Sequence, residues 1–134
     1  MKKILIVSAE YYPEISTRME ADAINFLKNW KDFSIDQKNF LIKVPGVFEI
    51  PVVIARNIEN YNGIIALGCV IKGETPHFDF ISKSTTEAIM KLSIKNKKPI
   101  GNGIITCLNK DQAIIRSKKK GIEAAKAVIS VLTS

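Results

Sequence analysis

The one histidine of the chain, His77, follows an apolar stretch and a glycine turn in the segment GCVIKGETPHFDF, residues 68–80. Residues 62–71, NGIIALGCVI, are apolar on both alternating faces, as a central strand of a parallel sheet must be. Lys72, Gly73 and Glu74 break that pattern. Thr75 then reads as an N-cap and Pro76 as the first helical residue, which predicts a helix over residues 75 to about 94. Strand, glycine turn and helix start make an anion site, because the first N–H groups are unpaired and the dipole is positive there. His77 falls in that first turn, where the dipole disfavours imidazolium and suits a neutral base. The plainer alternative is that this arrangement recurs in every α/β protein and that a lone histidine near a helix start is a surface residue. From these residues alone the two readings balance.

The elements that must position this stretch are legible in the rest of the chain. Residues 2–8 predict a buried strand and residues 9–13 a loop. Residues 15–30 carry helical spacing through Met19, Ala23, Phe26, Leu27 and Trp30. A polar connection over 31–38 leads to a second strand, 40–44, ended by Pro45 and Gly46. A helix is expected from about 48 to 58, with Pro51 in its first turn, where proline is tolerated. Residues 99–106 predict a fourth strand, weakened by Gly101 and Gly103. The last helix, 109 to about 132, is expected to be interrupted over 118–121. Strict alternation of this kind predicts one domain over residues 1–134, a three-layer α/β/α sandwich whose parallel four-stranded sheet carries helices on both faces. Ligands of such sheets sit outside the carboxyl ends of the strands, near the reversal of strand order. The loops 9–13, 44–49, 72–77 and 107–110 share that edge. Their tyrosines, phenylalanine, carboxylates, threonine, histidine and helix start suit a planar heterocycle and a phosphate.

Composition narrows the partners. At 134 residues, 46% hydrophobic and 25% charged, the chain is an ordinary globular domain with room for a core. Its longest apolar run, 64–71, is far too short to cross a bilayer. The start, Met1-Lys2-Lys3 before ILIV, resembles a signal peptide, but Ser8, Ala9 and Glu10 cut the run short without a cleavage pattern. A cytoplasmic protein with no membrane contact is therefore expected. Cys69 and Cys107 lack metal-type spacing and fit an unpaired, reduced state, and one histidine without a CxxC argues against zinc. The net charge of +7 implies an anionic partner or a lysine-rich surface. No aromatic residue is interleaved with Lys95, Lys97 and Lys98 or with Lys118 to Lys120, so a nucleic-acid platform ranks behind solvated surface and behind a phosphorylated small substrate.

Four segments, in order, resemble the lumazine synthase family over nearly the whole chain. VPGVFEIP (44–51) is similar to the family's V-P-G-A-F-E-I-P, and ALGCVIKGETPHFDF (66–80) to its A-L-G-x-V-I-[RK]-G-x-T-x-H-[FY]-[DE]. DQAIIR (111–116) is similar to its E-Q-A-x-x-R, and Lys120-Gly121 to its later Lys-Gly. The resemblance implies a flavodoxin-like fold and a transferase of riboflavin biosynthesis. Such an enzyme condenses 5-amino-6-ribitylaminouracil with 3,4-dihydroxy-2-butanone 4-phosphate to 6,7-dimethyl-8-ribityllumazine, phosphate and water, without metal or cofactor. Carried over by position, it implies that Tyr11 stacks on the pyrimidine and that Val47, Phe48 and Glu49 hold the ribityl chain and ring. It implies backbone contacts from Val70 and Ile71, a phosphate cradle at Gly73, Glu74 and Thr75, and His77 as general acid/base. Arg116 lies about ten residues past the fourth strand, roughly 9 Å or more down the last helix, away from its own pocket. The resemblance answers this with a neighbour: Arg116 binds phosphate in the next subunit's site, and Lys120 contacts substrate from that same neighbour.

It further implies a homopentamer with shared sites, and riboflavin synthase as the pathway partner. Two departures bear on this. Asn102 stands where many members carry Phe near the ring, and the stretch between Arg116 and Gly121 is shorter than in capsid-forming members. Asp79, two residues beyond His77, takes no role. Two competing classes are weaker. Of a flavodoxin-like nucleotide binder or receiver domain, a receiver needs an acidic pair after strand one and a phosphoacceptor Asp after strand three, where Ser8-Ala9-Glu10 and Cys69-Val70-Ile71 stand. A non-catalytic lumazine- or flavin-binding paralogue is disfavoured by His77, Arg116, Thr75 and Glu49 occurring together.

Overall fold

A computed structural model describes residues 2–30, 32–34, 40–74 and 77–134. In order they form strand β1 (Lys2–Ala9), helix α1 (Pro13–Leu27), β2 (Phe33–Ser34), β3 (Leu41–Val44), α2 (Ile50–Asn57), β4 (Gly63–Ile71), α3 (Phe78–Asn96), β5 (Ile100–Cys107) and α4 (Lys110–Leu132). Short 3-10 turns, Val47–Glu49 and Ile58–Asn60, flank α2. All strands are parallel.

The sheet counts five strands but has four positions. β3 pairs with Ile6 to Ala9 and β2 with Lys2 and Lys3, both on the side of β1 away from β4. The short β2 falls in the stretch expected to be only a polar connection; its pairing with the start of β1 is a long-range contact that local polarity does not reveal. Across the sheet the order runs β3, β1, β4, β5, so the chain reverses direction between β1 and β4. The carboxyl ends of those two strands mark the switch point, where a crevice opens in folds of this kind.

β1 and β4 are buried on both faces because helices cover both. Ile65, Leu67, Cys69 and Ile71 of β4 join Ile15, Met19, Ala23 and Leu27 of α1 and Ala124, Ala125 and Val128 of α4 in one core. Ile64, Ala66 and Val70 face the second core, with Ile50 and Ile54 of α2 and Ile89 of α3. Period-two burial along the strand thus meets period-four burial along each helix, giving the three-layer α/β/α, flavodoxin-like architecture. Pro13 opens α1 and Pro51 lies in the first turn of α2, where neither removes a needed hydrogen bond.

Two helix expectations need correction. α4 is continuous through Lys118 to Gly121. Gly121 is there for space: a Cβ on it would lie 2.3 Å from the Met19 carbonyl oxygen, so glycine lets α4 approach the backbone of α1. Its N-terminus is capped by Asn109, whose Oδ1 accepts from the Gln112 N–H at 2.8 Å, while Gln112 Oε1 accepts from the Leu108 N–H at 2.8 Å. The second correction concerns α3, which begins at Phe78 instead of residue 75; the expected cap Thr75 and first residue Pro76 lie outside the described residues. His77 is the N-cap, in the left-handed region at φ 67°, and its carbonyl accepts the first helical bond from the Ile81 N–H at 2.8 Å. The start is set there by Phe78 and Ile81, which lean on the second core. β5 keeps its full length despite Gly101 and Gly103, which lie on the side covered by α4.

Candidate active site

The carboxyl ends of β1, β3 and β4 surround a pocket of about 300 Å³. Each wall has a local cause. β1 ends at Ala9, and the short loop before Pro13 projects Tyr11, which is 58% exposed and meets Tyr12 edge-on at 4.9 Å. Val44 ends β3, and Pro45 and Gly46 turn the chain into the 3-10 turn bearing Val47, Phe48 and Glu49. The two loops are tied by the Glu10 N–H donating to the Val44 carbonyl at 2.9 Å. Glu49 folds back over its own turn, with Oε1 accepting from the Gly46 N–H at 3.0 Å. Phe48 remains 65% exposed, a second aromatic on the pocket rim.

Cys69 and Val70 of β4 form the floor and Ile81 of α3 closes the side. Val47 is buried against that floor because Gly68 leaves room; a Cβ there would lie 2.6 Å from Val47 Cγ1. Both cysteines are free, and burial pushes the Cys69 thiol up to about 12, with Cys107 beside it adding to the effect. Cys107 is also raised by burial, partly opposed by the Arg116 cation. Neither thiol is poised as a nucleophile.

The site residues expected from the sequence therefore separate into groups. Tyr11, Val47, Phe48, Glu49 and Val70 come together at the pocket. Ile71, at 1% exposure, is core. Gly73, at φ 85°, and Glu74 are exposed in the turn after β4, where the Lys72 N–H donates to the Cys107 carbonyl at 2.9 Å. Thr75 lies outside the described residues. His77 is exposed at the start of α3; it caps that helix instead of occupying its first turn. Asn102 is exposed on β5, its Oδ1 accepting from the Ile104 N–H at 3.0 Å, and it does not line the pocket.

Arg116 and Lys120 line a different cavity of about 610 Å³, between β5 and α4, which shares none of the described residues with the first. Arg116 Nη1 donates to the Thr106 carbonyl at 2.8 Å, and Lys120 Nζ stands 4.0 Å from Glu123. Lys118 and Lys119 join them, so the cations concentrate at the sheet edge formed by β5 while the aromatic pocket sits at the switch point. Pocket residues that the sequence did not assign to the site are Pro45, Gly46, Cys69 and Ile81. Ile81 carried a signal, since Phe78, Ile81, Thr85 and Ile89 recur at helical spacing.

A parallel α/β/α sheet with an aromatic-rimmed pocket at its switch point defines a flavodoxin-like small-molecule site. Residues 1–134 match the 6,7-dimethyl-8-ribityllumazine synthase family. The chain is 36% identical to the 6,7-dimethyl-8-ribityllumazine synthase of Methylobacterium radiotolerans, covering 97% of this chain and 80% of that one. It is 36% identical to the synthase of Bdellovibrio bacteriovorus over 97% of this chain and 73% of that one. With the Bartonella bacilliformis synthase it shares 39% identity over 96% of this chain and 87% of the relative. The chain belongs to the lumazine synthase family, transferases of riboflavin biosynthesis acting on small molecules. Among the described residues no helix is long and apolar enough to cross a membrane.

Proposed function

We propose that this chain condenses 5-amino-6-ribitylaminouracil with 3,4-dihydroxy-2-butanone 4-phosphate in a site completed by a neighbouring copy. Tyr11 and Phe48 offer flat apolar faces to the pyrimidine, and the Glu49 turn offers polar partners to the ribityl hydroxyls. The phosphate lies over Gly73, Glu74 and Thr75, whose backbone N–H groups precede α3. His77 exchanges protons as the imine forms, phosphate leaves and the ring closes. Holding two substrates together supplies more of the rate than any single proton donor. The reading favours turnover over a lumazine- or flavin-binding role without catalysis, because the whole family segment carrying His77 is present.

The observation that carries this reading is the division of the site. The aromatic pocket and the Arg116, Lys120 cavity share none of the described residues within one protomer, although the reaction releases phosphate and calls for a cation beside it. A head-to-tail ring brings one copy's β5 edge to the next copy's pocket, and a pentamer is the closure proposed here. The location is cytoplasmic, and riboflavin synthase consumes the product. Asn102, carried on that β5 edge, then makes the wall of the neighbour's pocket more polar than Phe would. Incubation with both substrates should generate lumazine fluorescence. Subunits carrying Glu49→Ala and Arg116→Ala, each impaired alone, should partly recover activity after exchange. No recovery despite proven exchange would mean that Arg116 acts within its own chain.

A further inference from the structure

Among the described residues Glu20 is the only charged side chain in the interior, at 5% exposure, and it lines neither cavity. It stands on α1 beneath the sheet. Oε2 accepts a hydrogen bond from Ser8 Oγ at 2.6 Å, and Lys43 Nζ is 3.8 Å from Oε1. Ser8 and Lys43 are direct partners in the β1–β3 ladder, so both side chains leave the sheet on the same face. A buried carboxylate is costly unless donors surround it, and an apolar side chain of similar size often packs as well or better. Stability therefore does not account for a carboxylate at this place.

Position does. Ser8 is three residues before Tyr11, and Lys43 directly precedes Val44, from which the turn bearing Phe48 and Glu49 departs. β3 is a four-residue strand in the outer position of the sheet, the kind of element whose end opens locally at little cost. Among the described residues one backbone bond, from the Glu10 N–H to the Val44 carbonyl, ties the loops that follow β1 and β3. We propose that Glu20 is a positioning residue for the substrate pocket: through Ser8 and Lys43 it clips the carboxyl ends of β1 and β3 together and sets the gap between Tyr11 and Phe48. This rests on the pyrimidine occupying that pocket.

The test replaces the clip by apolar contact in a Ser8→Ala, Glu20→Leu double variant, assayed as the assembled enzyme. It should fold and resist denaturant at least as well as the parent. Its KM for the pyrimidine should rise roughly tenfold, within the range that displacing a binding wall by about 1 Å produces, while KM for the butanone phosphate stays within about twofold. Glu20→Gln, which can still accept from Ser8 but loses the charge facing Lys43, should show the smaller pyrimidine effect. A folded double variant with parental KM for both substrates overturns the proposal. Should the double variant not fold, Glu20→Gln and Lys43→Met decide, and an unchanged pyrimidine KM in both overturns it. Tyr11→Ala, run alongside, separates the two readings: if it leaves the pyrimidine KM unchanged, the pocket assignment has failed and not the clip.

Discussion

Gly68→Ala tests the link between the β4 floor and the pocket wall. The added methyl would lie 2.6 Å from Val47 Cγ1 and 3.2 Å from Ala9 Cβ, with Ile50 Cδ1 at 3.7 Å. An ordinary carbon–carbon contact is about 3.5–4.0 Å, so Val47 must retreat by roughly 1 Å. Ala9 Cβ and Ile50 limit where the new methyl can settle, and Val47 begins the 3-10 turn that carries Phe48 and Glu49. Overpacking of this size costs about 1–3 kcal/mol. Taking about 2 kcal/mol, the melting temperature of a chain this long falls by roughly 6–10 °C. Because the strain is released through the pocket wall, pyrimidine affinity should fall about tenfold, equivalent to ~1.4 kcal/mol. Thermal unfolding and titration with the pyrimidine measure the two effects. The decisive control is Val47→Ala, which removes the clashing Cγ1. In the double variant the two destabilisations should sum to less than the separate values by about 1 kcal/mol or more. Parental stability and affinity in Gly68→Ala, or strict additivity with Val47→Ala, would refute this account of the floor.

Cys69 gives a pH prediction. Its thiol is raised from 9 to about 12 in the folded state by burial, so the folded protein retains a proton that the unfolded chain loses. The stability it confers is complete below pH 9 and is lost as pH rises from about 9 towards 12. Cys69→Ala should show a shallower decline in denaturant midpoint across that window, and equal slopes would contradict the burial argument. The same shift makes native Cys69 slow towards iodoacetamide at pH 8, with labelling appearing only on unfolding. His77→Ala should lower kcat by about 100-fold, at the lower end of general acid/base effects, and leave pyrimidine affinity unchanged. Loss of that affinity would show that the His77 side chain is structural.

The sequence by itself determined the layered architecture and most of one pocket. Alternation of apolar runs with helical spacing depends on local period, so β1, β4, α1 and α4 could be placed from their own residues. Once the strands are parallel, their carboxyl-end loops must meet at one edge, and Tyr11, Val47, Phe48, Glu49 and Val70 converge for that reason. What tertiary structure decided depends on contacts between residues distant in sequence. Gly121 reads locally as a break, yet the Met19 backbone 2.3 Å from where its Cβ would be makes it a packing site within a continuous helix. Likewise α3 starts at Phe78, after a left-handed His77, where Phe78 and Ile81 pack on the second core. The two-residue β2 exists only through its pairing with Lys2 and Lys3, and Ile81 reaches the pocket only because α3 leans on β4. Glu20 has no motif at all: its partners Ser8 and Lys43 become neighbours only when β3 is laid beside β1. Spacing along a chain reports what a helix or strand presents, whereas the space left between elements, and the polar groups trapped in it, come into being when those elements meet.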